Sequence, residues 1–366
     1  MTVLKGVDNF MITFIKGSPC FNHVRVLKFI EYFNRKGSQI NFWCWKRTRA
    51  EPSDPAENYL LTGGGYASKK LFFFYPVWCL LVFLKAIFKK YAAEDSFFVI
   101  DFDSALPIYL ASLIRGKITY VYDIHDDFSM RYRFPVFIND LIRRIDSKIK
   151  NRALKVIHVD ENRIRAGDDN FEIIYNTPMD IYSDYQLERP PLDSKKFAVT
   201  GLLSESRGLD SIYQLARNNS KFQFIVAGTF LNSEKLVQSF LNLSNVEYLG
   251  SIDQKVLFSK IADAGYIFSL YDPSVEINRR AASNKLYDAM MLGVPVITNN
   301  GLMAAELVKN ENLGFVVNFN YDESWNVLVH NDSESMLKLS ENCRKLYDLK
   351  FSYSNNFTNK LSNIYG

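Results

Sequence analysis

The chain has 366 residues, 48% of them apolar and 23% charged, with a formal net charge of +4. That length accommodates two cores of ordinary size, the composition is globular and not disordered, and so mild a charge gives no ground for a nucleic-acid partner. The charge is unevenly spread: residues 1–180 hold 26 Lys and Arg against 20 Asp and Glu, and the remainder holds 18 against 20. A basic first half suits a solvated surface, and equally an anionic substrate or lipid headgroup.

Strands and helices alternate along the chain, which predicts parallel sheets built from βαβ units. The first residues lack a basic start, a long apolar centre and a small-residue cleavage site, so secretion is not expected. "FMITFIKG" reads as a strand ending at Gly17, "VRVLKFIEYFNRKG" as a helix stopped at Gly37, and "QINFWCW" as the next strand. Cys20, Cys44, Cys79 and Cys343 show no CxxC spacing, which fits small core residues in a reduced, cytoplasmic compartment. A polar loop with Gly63, Gly64 and Gly65 leads into "KKLFFFYPVWCLLVFLKAIFKK", residues 69–90. Its unbroken apolar part falls short of the about 20 residues that span a bilayer. Three readings stand: a buried helix, an interfacial one with Trp78 and the flanking lysines at headgroup level, and, least expected, a transmembrane span. The second would make the protein peripheral at the inner face of a membrane.

Strand "SFFVIDF", helix "ALPIYLASLIRG" and strands "ITYVYDIHD", "LKVIHVD" and "FEIIYN" complete a first domain, 1–182. "SDYQLERPPLDSKK", residues 183–196, has paired prolines and no periodicity and reads as a linker. A second alternating series fills 197–345, and the tail 346–366 looks helical, with a return to the first domain left open. The expected fold is α/β, two Rossmann-like domains facing each other across a cleft, with ligands beyond the carboxyl ends of the strands.

The most informative stretch is "AASNKLYDAMMLGVPVITNNG", residues 281–301. Ser283 or Asn284 suits an N-cap, Leu286, Ala289 and Met290 form an inward stripe, and Gly293 ends the helix. Capping does not explain Lys285, because a cation in the first turn opposes the helix dipole. An anion over the helix start would explain it, since free N–H groups already point there. Asp288, one turn on, could accept hydroxyls of a ribose; the alternative is a plain surface pair.

This stretch resembles the donor-site helix of retaining nucleotide-sugar glycosyltransferases of family 4, which have the GT-B fold. "SPCFNHVRVLKFIEYFNRKGSQINFWCWKR", "DFDSALPIYLASLIRGKITYVYDIHD", "YNTPMD" and "GLLSESRGLDSIYQLA" are similar to further segments of that family, in the same order. The resemblance implies a UDP- or GDP-linked sugar donor, a glycan or lipid-linked acceptor in surface polysaccharide synthesis, and no metal or other cofactor. It implies a donor site of Gly17, Gly201, Arg207, Gly228, Ser283, Asn284, Lys285, Leu286 and Asp288. Arg207 stands where the family usually has lysine. His125 matches the family's cleft histidine, with Asp126 and Asp127 beside it, and Asp126 joins His125, Arg207 and Lys285 in the catalytic set. Three positions depart from the pattern. Leu202 replaces an arginine, and a glutamate pair becomes Arg280 and Asp288; Glu276, Arg279 or Arg280 would have to compensate.

Three competing readings remain. "DFD", 101–103, has the Asp-x-Asp spacing that holds Mg²⁺ or Mn²⁺ in another transferase fold. A nucleotide-sugar epimerase shares the architecture, and the losses at Leu202 and Arg280 suit a non-catalytic nucleotide-sugar-binding subunit.

Overall fold

Strands buried on both faces read as continuous apolar runs, and such strands belong in parallel sheets covered by helices on each side. The structure, a computed structural model, describes residues 11–365 apart from 67, 91, 93–94, 127, 132–133, 165–166, 186, 232–233, 282 and 331. Its contacts divide the chain into two units. One runs up to Tyr175 and takes in the segment from Phe357; the other is Asn176–Asn356.

The first unit holds a seven-stranded sheet of β1 (Met11–Lys16), β2 (Gln39–Lys46), β3 (Glu57–Thr62), β4 (Ser96–Ile100), β5 (Thr119–Ile124), β6 (Lys155–His158) and β7 (Phe171–Ile173). The order is β3-β2-β1-β4-β5-β6-β7, all parallel. Every residue of β4 is buried, as an interior strand requires. Three helices matter below: α1 (Val24–Arg35), α2 (Leu71–Phe88) and α3 (Phe102–Ile114). The last helix of the chain, Asn359–Tyr365, belongs to this unit. Phe357 packs 5.1 Å from Phe29 and Tyr365 packs 5.0 Å from Phe33, both on α1.

The second unit holds β8 (Asp193–Leu203), β9 (Gln223–Phe230), β10 (Val246–Tyr248), β11 (Ala264–Ser269), β12 (Val296–Asn299) and β13 (Gly314–Val317). They form a parallel sheet in the order β10-β9-β8-β11-β12-β13. Phe197, Phe224, Tyr266 and Phe268 stack through its core. The segment expected as a linker is partly regular, with a helix over Ile181–Tyr185 and β8 starting at Asp193.

The apolar segment 69–90 corrects the sequence reading in one respect. Trp78 is not at a surface: it is fully buried, 5.9 Å from Trp45, on a stripe with Leu71, Val82 and Ala86. The opposite side of α2 is exposed, with Phe72 at 78%, Phe73 at 72% and Phe88 at 80%. A helix apolar all round gives no sequence signal of which face turns inward. By length and composition alone α2 is also apolar enough to cross a membrane.

Candidate functional site

In the second sheet the strand order reverses between β8 and β11. Open α/β sheets take ligands beyond the carboxyl ends of such a strand pair. The turn after β8 is one 3-10 turn, Glu205–Arg207, closed by Gly208 at φ +73°. A Cβ at Gly208 would lie 2.6 Å from Leu270 Cδ1, so only glycine lets this turn rest on the loop after β11. That placement sets the Arg207 guanidinium 3.9 Å from the Tyr271 ring centroid. Its Nη1 donates to Asn278 Oδ1 at 3.3 Å, and Asn278 is anchored by donating to the Asp272 carbonyl at 3.0 Å.

Lys285 arrives from the helix Asn284–Leu292. Ser283 occupies the N-cap, but its hydroxyl bonds Ser269 Oγ at 2.8 Å and makes no bond to the helix backbone. The first turn therefore has no side-chain cap, which leaves its partial positive charge without a side-chain acceptor at Ser283. Lys285 Cε would sit 3.4 Å from a Cβ at Gly201, whose φ is +87°. The lysine stem thus crosses the end of β8, and Lys285 and Arg207 line one small pocket with Leu203, Ser204 and Phe268. Burial, then the nearby Arg207 charge, push the Lys285 ammonium down to about 8, against the opposing pull of Asp288. Among the described residues neither Arg207 nor Lys285 forms an ion pair.

The remaining second-unit residues fall into place around this pair. Leu286 is buried, and its N–H donates to the Ser283 carbonyl at 3.1 Å. Asn284 is exposed and accepts from Asn176 Nδ2 at 2.5 Å. Gly228 pairs with Gly201 across β8 and β9, and a Cβ there would lie 1.8 Å from the Gly201 oxygen, so its glycine is required by the neighbouring strand. Leu202 is 42% exposed. Arg279 and Arg280, offered as compensating groups, are exposed and line a different surface cavity with Gly301, Met303 and Lys309.

The first unit gathers its charged groups at the ends of β1, β4 and β5. His125 Nε2 lies 2.7 Å from Asp123 Oδ2, so its partner is Asp123 and not the adjacent Asp126. Asp123 is fully buried and held by Arg25, whose Nη2 donates to Oδ1 at 2.7 Å and Nε to Oδ2 at 3.1 Å. Burial alone would raise the Asp123 pKa, but Arg25 and His125 outweigh it and hold the carboxyl well below its ordinary range. Asp126 pairs with Arg163 at 3.1 Å. Asp127 lies outside the described residues.

The two carboxylates of "DFD" are each committed within the unit. Asp101, at φ +62°, accepts from the N–H groups of His125 and Asp126 at 2.9 and 3.2 Å and lies 3.6 Å from Lys16 Nζ. Asp103 lies 3.5 Å from Arg47 Nη2. Gly17 is required by this packing, since a Cβ would meet Asp103 Oδ2 at 2.3 Å. Elsewhere, Cys20, Cys44 and Glu57 are buried and close enough to share a metal ion. Glu57 however already accepts from the N–H groups of Cys20 and Phe21 and from the Tyr59 hydroxyl. Burial and the Cys20 contact push the Cys44 thiol well up.

Sequence reasoning missed Arg25, Asp123, Arg47 and Arg163. A charged residue inside the apolar run of β5 was the available signal for Asp123.

Residues 186–346 match the family model described as "Glycosyl transferases group 1". No curated protein matches the chain in sequence. Among solved structures, sucrose-phosphate synthase from Thermosynechococcus elongatus is similar at 15% identity and TM-score 0.65, covering 94% of this chain and 95% of its own. Anabaena Alr3699/HepE, in complex with UDP and glucose, gives 17% and 0.64, covering 95% and 97%. An α,α-trehalose-phosphate synthase (UDP-forming) from Burkholderia vietnamiensis gives 10% and 0.64, covering 97% and 99%. The fold is GT-B, two Rossmann-like α/β domains, and the family match over residues 186–346 supports a glycosyltransferase.

Proposed function

We propose that the protein is a retaining, metal-independent glycosyltransferase of the family 4 type, taking a UDP- or GDP-linked sugar and passing it to a hydroxyl of a glycan or lipid-linked acceptor. The observation that carries this reading is the pair Arg207 and Lys285, two cations without an ion-pair partner among the described residues, beside an uncapped helix start at a strand-order reversal. Breaking the bond from the sugar to its diphosphate puts growing negative charge on the leaving oxygen. Oriented N–H groups and cations stabilise that charge, and each charge-assisted bond is worth roughly 1.5–3 kcal/mol. Asp288, three residues after Lys285 on the same helix, is the proposed acceptor for ribose hydroxyls. In the first unit, His125 is oriented by Asp123 and offers its ring to a sugar hydroxyl. In a retaining transfer the leaving phosphate takes the acceptor's proton, so His125 acts by positioning. The bond between the anomeric carbon and the acceptor oxygen forms as the bond to phosphate breaks.

The commitments of Asp101 and Asp103 to Lys16 and Arg47 weigh against a metal held by "DFD". A thermal-shift screen against UDP, GDP and their sugars tests the reading. A ligand at 100 times its dissociation constant should stabilise by about 2.7 kcal/mol. Product NMR should then show the donor's anomeric configuration retained. Binding without turnover on any acceptor would favour a non-catalytic subunit, and isomerisation of the donor without an acceptor would favour an epimerase. Synthesis of a surface polysaccharide at the cytoplasmic face of a membrane is the setting proposed for the reaction.

A further inference from the structure

α2 and α3 pack side by side on the first sheet. Between them lies a cavity of about 520 Å³ whose wall includes Leu71, Tyr75, Cys79, Leu106 and Phe128, within the size range of small-molecule sites. Its lining is almost wholly carbon, which disfavours a sugar: hydroxyls buried there would lose water without gaining partners. Two charged residues border it. Lys69 stands just before α2, and Asp103 lies in the first turn of α3. Asp103 is also the residue against which Gly17 and Arg47 pack at the end of β1. Asp103 is therefore a wall residue shared by the cavity and the packing at the end of β1.

On its outer side the cavity is bordered by Phe72, the start of the exposed apolar side of α2 that includes Phe73, Leu80 and Phe88. Lys69 and Lys70 precede this face and Lys90 follows it, while Lys89 turns inward and donates to Thr13 Oγ1 at 2.9 Å. An apolar recess opening beside an apolar face edged by cations complements an amphiphile with a hydrocarbon chain and an anionic head.

We propose that this cavity holds the hydrocarbon chain of the acceptor, an amphiphile whose phosphate-bearing head lies toward Lys69. The inference rests on reading the protein as a transferase and specifies the acceptor class.

A fluorescent farnesyl phosphate tests it on the full chain, with farnesol and glycerol phosphate as competitors. The expected result is saturable binding in detergent-free solution, displaced by farnesol more weakly than by unlabelled farnesyl phosphate and not at all by glycerol phosphate. Leu106→Trp, which fills the cavity, should weaken binding at least tenfold, and exposed-site Lys69→Glu severalfold, while the UDP thermal shift stays unchanged in both. Should Leu106→Trp not fold, Phe72→Ala at the mouth should still weaken the probe severalfold. Absence of saturable binding, or equal binding by the folded variants, overturns the proposal. So does protein that floats with anionic vesicles yet shows no saturable farnesyl phosphate binding, because the face would then touch a bilayer alone. Loss of the UDP shift with probe binding intact would count against the transferase reading and not against the cavity.

Discussion

Both sheets place arginines and lysines at the carboxyl ends of central strands, but the two units treat those charges differently. In the first, Lys16, Arg25, Arg47 and Arg163 each lie within ion-pair distance of an aspartate, at Asp101, Asp123, Asp103 and Asp126. In the second, Arg207 rests on a tyrosine ring and an asparagine, and Lys285 is crowded against Arg207. Two like charges in one pocket are unfavourable until an anion joins them. A closed pair points to architecture, while convergent cations with no ion pair among the described residues point to a ligand.

The contrast can be broken experimentally. Arg25→Ala would leave the buried Asp123 with His125 as its remaining charged partner, and removing one partner of such a pair costs about 3–5 kcal/mol. Chemical denaturation should show that loss with UDP binding unchanged; a mild effect would mean that Asp123 relaxes to solvent. Gly228→Ala should cost about 1–3 kcal/mol through overpacking against the Gly201 oxygen, and since it disturbs the end of β8 it should weaken UDP binding as well. Changes in pH sharpen the comparison. Diphosphate favours the charged form of Lys285, so affinity is full below about 8 and falls as the ammonium deprotonates. Between pH 7 and 9 calorimetry should show a roughly tenfold loss, absent in Lys285→Arg. Smallest of all, Arg280→Ala should leave UDP affinity unchanged, because Arg280 lines a separate surface cavity; a clear loss would restore it to the donor site.

Local patterns carried the fold a long way. The helix start at Ser283, the inward Leu286, Ala289 and Met290, and the turn at Gly293 were all legible, because capping and periodicity act within a few residues. The strand β3 was not: Glu57–Thr62 lies at the sheet edge with mixed burial, so it carries no continuous apolar run. The orientation of Trp78 escaped for the opposite reason, since every side of its helix is apolar. At the site, Lys285 was conspicuous because it violates the dipole preference. Pairings such as Arg25 with Asp123, 98 residues apart, leave no local trace. The Ser283 hydroxyl also defied its local preference, because Ser269 on the adjacent strand end offered a buried partner.

Calorimetric titration of UDP and GDP into the protein, Arg207→Ala and Lys285→Ala tests the central claim most directly. At least one nucleotide should bind, and each substitution should weaken it by roughly 10- to 150-fold, the equivalent of one charge-assisted bond. Unaltered affinity in both variants would contradict the account, since the diphosphate would then rest somewhere other than on this pair.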